Sequence, residues 1–190
     1  MTHLDKKAEH AWCLYDWAIS AWSITIITFI FSSYFAKSIA PNFEQGMILW
    51  GNMLTFSGII IAIISPIFGS IADESKNALN WLRVTTLITC TCASLLWFAT
   101  PNYTSPIHFL IVISIGSIGF ELSQMFYNTL LSEVSDSKTI LKTSSKGWSL
   151  GYFGGLTCLA LVLLIFLNNS NSLIKMKHST YQHVRVVGPF

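Results

Sequence analysis

The side chains with chemical potential in this sequence are few, and most of them fall on one stripe. Ser114, Ser117, Glu121, Gln124, Asn128 and Ser132 recur at spacings of three and four, the repeat that places residues on one face of an α-helix. The flanking sequence is apolar. A carboxylate in the middle of an apolar span costs about 3 kcal/mol on insertion scales and is kept where it meets a cavity, an ion or a partner. Glu121, Gln124 and Asn128 therefore read as a substrate or proton path. The same stripe also fits a hydrogen-bonded seam between helices, with Glu121 protonated. Asp16, followed by Ser20 and Ser23 on its face, is the second polar group. It stands where the first apolar stretch opens, and there a carboxylate also suits the positive end of a helix dipole. Gly147, Gly151 and Gly155 recur every four residues. Each glycine costs helix propensity, and the gain is a smooth surface for close helix packing, within a bundle or between chains.

Other chemistries find no support. The histidines (His3, His10, His108, His178, His183) lie near the termini or an outer loop, without a ligand spacing or a paired carboxylate. No glycine loop followed by lysine and no nucleophile elbow is present, so neither an enzyme nor a bound cofactor or metal is expected. Cys13, Cys90, Cys92 and Cys158 are scattered. Cys90 and Cys92 are two apart on a helix and point away from each other, so all four read as small apolar fillers.

The elements that position these residues follow from the distribution of charge. The chain has 190 residues, 52% hydrophobic and 11% charged, against about 25% charged in an ordinary soluble domain. Its net charge of +2 forms no basic block, which gives no case for nucleic acid as a partner. Stretches of 20 residues between Asp16 and Lys37, 28 between Glu44 and Asp73, and 28 between Lys146 and Lys175 carry no charge. A fourth, the 37 residues from Arg83 to Glu121, is broken by Pro101 and Pro106, because proline removes a donor and disfavours helix before it. At about 20 residues per span, five spans follow: Trp17–Ala36, Met47–Ala72, Val84–Ala99, Ile107–Leu131 and Trp148–Leu167. The expected fold is all-α, a polytopic transmembrane bundle over residues 1–167, followed by a polar and basic tail, 168–190, without a span. The lipid bilayer is then its first partner.

Lys6, Lys7, Lys76, Arg83, Lys138, Lys142 and Lys146 share the N-terminal side of this topology, while the opposite loops hold Lys37. Short basic loops stay inside, which puts the N-terminus in the cytoplasm. The first span is too long for a signal-peptide core, and Pro41 would follow the loose cleavage site Ser38-Ile39-Ala40, so an uncleaved helix is expected. The absence of an Arg- and Ser-rich leader favours a bacterial inner membrane. Asn102-Tyr103-Thr104 fits a glycosylation acceptor on the outer side.

Four motifs also resemble a known family. Tyr15-Asp16-Trp17-Ala18 with Ser20-Ala21 resembles the first-helix opening of vacuolar amino-acid effluxers of the autophagy-related family and their bacterial relatives, a branch of the major facilitator superfamily. Pro66-Ile67-Phe68-Gly69-Ser70-Ile71-Ala72-Asp73 is similar to its second-helix end and signature loop, with Gly69 and Asp73 at motif positions. Phe126-Tyr127-Asn128-Thr129-Leu130-Leu131 with Glu133 resembles its fourth-helix end. Lys146-Gly147 and Gly151-Tyr152-Phe153-Gly154-Gly155 resemble its fifth helix. The motifs occur in order between about residues 12 and 167. Glu74-Ser75-Lys76-Asn77-Ala78 departs from the arginine, glycine and basic run that follow the signature aspartate in the superfamily.

The resemblance implies twelve helices in two halves, with a small-molecule solute held between them. It places Glu121 and Gln124 on the cavity wall and Asn128 and Asp16 nearer the cytoplasmic gate. The expected function is secondary transport, of amino acids or similar small solutes, by a truncated chain that needs a homodimer or a complementary C-terminal half. The alternative is a transport-incompetent remnant, or a membrane subunit that packs against partner helices.

Overall fold

A computed structural model describes residues 3–74, 77–101, 106–167 and 181–190. Among these residues the regular structure is helical throughout. Helix α1 covers residues 3–39 and takes the wider π form over Trp22–Phe29 and Phe35–Ile39. A turn leads into α2, Phe43–Glu74, whose first turn is capped by Asn42: its Oδ1 accepts the Gln45 amide N–H at 2.9 Å, satisfying one of the free donors of a helix start. Helix α3, Ala78–Leu95, tightens into a final turn at Leu96–Phe98. Helix α4 is Ile107–Val134 and begins directly after Pro106, where a missing N–H leaves no bond unmade. Helix α5, Ile140–Val162, continues as a π turn over Leu163–Leu167, and α6 is the short Gln182–Arg185.

Five segments are long and apolar enough to cross a bilayer: Lys6–Ile39, Phe43–Ile71, Ala78–Phe98, Ile107–Val134 and Ile140–Phe166. These are the five spans expected from the charge-free stretches, and the all-α bundle is an integral membrane protein by architecture. The helices outrun the apolar zones. Helix α1 starts at His3 and α5 at Ile140, well ahead of Trp17 and Trp148; before Trp17 the Lys, Glu and Ala residues are themselves good helix formers. The Asn102-Tyr103-Thr104 acceptor, Lys76, and tail residues 168–180 lie outside the described residues.

Helix α4 is the spine of the bundle. It packs along α3 and α2 and touches α1, while α5 lies along α1. The α3–α4 contact is close: a Cβ added at Gly119 would lie 2.9 Å from Thr89 Oγ1, and one at Gly116 would lie 3.0 Å from Cys92 Cβ. Thr89 Oγ1 donates across this seam to the Gly116 carbonyl at 3.3 Å. One apolar cluster, including Phe31, Phe35, Trp50, Leu96 and Ile113, fills the end where α1 turns into α2. A second, around Trp12, Leu82, Phe126 and Tyr127, fills the N-terminal end. Large apolar side chains such as Phe56, Ile63 and Ile67 on α2 and Leu87 on α3 point outward, as helices solvated by lipid require.

The topology gathers Lys6, Lys7, Arg83, Lys138, Lys142 and Lys146 at one end and Lys37 and Arg185 at the other. At the basic end, Lys146 Nζ pairs with Glu9 Oε1 at 3.3 Å, tying α5 to α1. The last ten residues fold back onto the opposite end: Arg185 Nε donates to the Trp97 carbonyl at 2.6 Å, its guanidinium sits 5.2 Å from the centre of the Trp97 ring, and Val184 and Val187 are buried.

Candidate solute cavity between three helices

Asp16 lies four turns into α1, which starts at His3, roughly 20 Å from the helix end at 1.5 Å per residue. The helix dipole fades within the first turn, so the favourable end-charge expected at Asp16 does not apply. The span opens at Trp17, but the helix does not. What accommodates the carboxylate is the facing helix: a Cβ added at Gly151 of α5 would lie 2.5 Å from Asp16 Oδ2 and 3.1 Å from Ser20 Oγ. Glycine here makes room for a polar pair. The Gln124 side chain of α4 is within hydrogen-bonding reach of the Asp16 carboxyl. Among the described residues the ion pair is Glu9–Lys146, and no cation pairs with Asp16.

Around this carboxylate is a half-open cavity of about 360 Å³, within the range of small-molecule sites. Its polar lining is Asp16, Ser20 and Ser23 from α1 and Gln124, Tyr127 and Asn128 from α4; Phe120, Trp148 and Tyr152 add aromatic surface. Trp148 and Tyr152 are 59% and 66% exposed with ring centres 6.2 Å apart, so they stand at the mouth rather than in the wall. Among the described residues no lysine, arginine or histidine lines the space.

The floor is rigid. The Trp12 and Tyr127 rings stack with centres 4.1 Å apart, and Trp12 Nε1 donates to the Tyr127 carbonyl at 2.9 Å. Tyr15 and Thr86 hydroxyls meet at 2.7 Å, fixing α1 against α3. The Tyr127 hydroxyl is buried and has no hydrogen-bond partner among the described residues, a state that costs about 1–3 kcal/mol. The π stretch of α1 begins at Trp22, so Ser23 and Ile24 of the cavity wall sit on widened backbone, a feature frequent at functional sites.

The structure brings Asp16, Gln124 and Asn128 into this one space and leaves Glu121 out of its lining. Glu121 is exposed, on the strip of α4 that carries Asn128, and it makes no hydrogen bond or ion pair among the described residues. Ser117 is buried without a hydrogen-bond partner, and Ser132 donates to the Thr129 carbonyl at 3.0 Å. Gly147, Gly151 and Gly155 all face α1 and its neighbours: added Cβ atoms at Gly147 and Gly155 would lie 2.8 Å from Tyr127 Oη and 2.6 Å from Ile24 Cγ1. Gly69 is not tightly packed, its nearest neighbour being Met125 Sδ at 4.0 Å. Asp73 falls in the last turn of α2, and its side chain lies outside the described residues. Among the described residues no group of three or more His, Cys, Asp or Glu side chains is placed to hold a metal.

Sequence reasoning did not single out Tyr127, Phe120, Trp148 or Tyr152 as lining residues. Tyr127, three after Gln124, continues the polar stripe, and Tyr152 adjoins a stripe glycine; those were the available signals. The aromatic residues are too common in this chain, 14%, for their type alone to mark a site.

The chain is 29% identical over 154 residues to YxiO of Bacillus subtilis (strain 168), an uncharacterized MFS-type transporter; the match takes in 78% of this chain and 35% of the relative. The chain thus spans about a third of the length of the curated relative it matches. No family model matches the chain, and no solved structure matches it. The relative's description as an MFS-type transporter names the same superfamily that the four sequence motifs resemble.

Proposed function

We propose that this chain forms five helices of a major-facilitator carrier for amino acids or similar small solutes, of the vacuolar-effluxer-like branch, with its N-terminus in the cytoplasm of a bacterial inner membrane. The observation that carries the reading is the cavity in which α1, α4 and α5 converge on Asp16, Gln124 and Asn128, a polar and half-open surface of the kind a carrier offers its solute between helices. Half of the enclosure comes from elsewhere, from a complementary half or a second copy. Glu121 belongs to this reading as a proton-path residue on the open strip of α4, where further helices would meet it.

The test is exchange. Proteoliposomes carrying the 190-residue chain, alone or co-reconstituted with the remaining two thirds of YxiO, are loaded with leucine and given labelled leucine outside. Exchange above protein-free vesicles in either preparation is expected, and Glu121→Gln should remove its dependence on pH. No exchange in either preparation would leave the remnant or interaction-subunit reading. That alternative relies on the glycine stripe as a docking face, and the stripe is occupied by α1 of the same chain.

A further inference from the structure

We infer that the cavity takes the ammonium group of its solute at Asp16, so that amine-bearing solutes are selected over anions. This deepens the carrier reading above and rests on it. A carboxylate at the edge of an apolar span, packed against a facing helix, is stabilised by a compensating charge, and the described residues supply none: no cation pairs with Asp16 and no basic residue lines the cavity. A protonated amine fits that vacancy. The Ser20 hydroxyl, whose own proton goes to the Asp16 carbonyl at 2.7 Å, leaves its oxygen free to accept from an N–H₃⁺ group beside the carboxylate, and the Gln124 side chain holds that carboxylate from α4. Trp148 and Tyr152 at the mouth offer ring faces that attract a cation as it enters.

A second, independent observation concerns the other end of the solute. Tyr127 lines the same cavity, and its hydroxyl is buried without an acceptor. Asp16 Oδ2 abuts Gly151 and Tyr127 Oη abuts Gly147, positions one helical turn apart on α5, about 6 Å. With an amine at Asp16, a small turn of the Tyr127 side chain toward the cavity would bring its unpartnered hydroxyl to an adjacent carbonyl oxygen as hydrogen-bond donor. That donor is neutral, so the carbonyl needs no negative charge: an amino amide should bind as well as the amino acid.

The experiment titrates the 190-residue chain in nanodiscs, read by tryptophan fluorescence and by calorimetry, with leucinamide, leucine and N-acetylleucine. Leucinamide and leucine should bind, with N-acetylleucine weaker by about tenfold or more, the scale of a lost charge-assisted bond. Asp16→Asn should abolish that preference, and Tyr127→Phe should weaken leucinamide several-fold while sparing 3-methylbutylamine, which lacks the carbonyl. Equal binding of N-acetylleucine to the unsubstituted chain would overturn the inference while leaving the solute cavity standing. Binding of none of the three would overturn both. The ranking on the unsubstituted chain decides even if Asp16→Asn fails to fold.

Discussion

Of the helix junctions in this bundle that use glycine for close approach, two do opposite things with the space. Between α3 and α4, Gly116 and Gly119 bring backbone against Cys92, Thr85 and Thr89, and the gap closes on apolar atoms and a hydroxyl that finds the Gly116 carbonyl. Between α1 and α5, Gly151 brings backbone against the carboxylate of Asp16 and the hydroxyl of Ser20, and a cavity opens beside them. The first junction is complete within the chain. The second is built around a carboxylate with which no cation pairs among the described residues. The absence of a side chain is therefore a structural device in one place and room for a polar group in the other, and what separates them is the residue on the facing helix.

That contrast is sharpest under overpacking. Gly154 sits where an added Cβ would come within 2.7 Å of the Trp17 backbone, which cannot move as a flexible side chain can. Gly154→Leu should separate α5 from α1 and destabilise the chain by more than about 3 kcal/mol, read as loss of the folded species in detergent. Gly119→Ala acts on the closed seam instead, with an expected cost of about 1–3 kcal/mol in thermal unfolding and no change in leucinamide affinity. If Gly119→Ala weakened leucinamide as much as Asp16→Asn, the two junctions would not be functionally distinct. Trp12→Phe removes the bond to the Tyr127 carbonyl but keeps a ring in the stack, so a loss of about 1–2 kcal/mol is expected. The smallest effect belongs to Lys146→Ala, since that ion pair is partly exposed, 41% on the lysine side, and should contribute less than about 1 kcal/mol.

How far the sequence carried the fold can be judged from particular residues. The five spans are legible because bilayer-crossing segments exclude charge, and the break before α4 is legible because Pro106 immediately precedes Ile107. Helix ends are not, since counting charges locates the apolar zone and α1 extends well beyond it. That distinction decided the reading of Asp16, which stands at the edge of a zone but deep in a helix. At the site, helical spacing was enough to group Gln124 with Asn128 and Asp16 with Ser20 and Ser23. It did not tell which edge of the α4 stripe meets the cavity: Glu121 and Gln124 are 60° apart at 100° per residue, and the packing of α1 and α5 puts one inside and the other out. The π stretch of α1 has no signature in residue type and was not foreseeable.

The account turns on Asp16 facing a solute-accessible space rather than a sealed junction. The direct measurement is the reactivity of a cysteine at Ser20, with Cys13, Cys90, Cys92 and Cys158 replaced by serine or alanine, toward a water-soluble thiol reagent in nanodiscs. The account predicts modification at Ser20→Cys that leucinamide slows, while Thr89→Cys in the α3–α4 seam stays unreactive. An unreactive cysteine at position 20, in a chain whose melting temperature is unchanged, would contradict it.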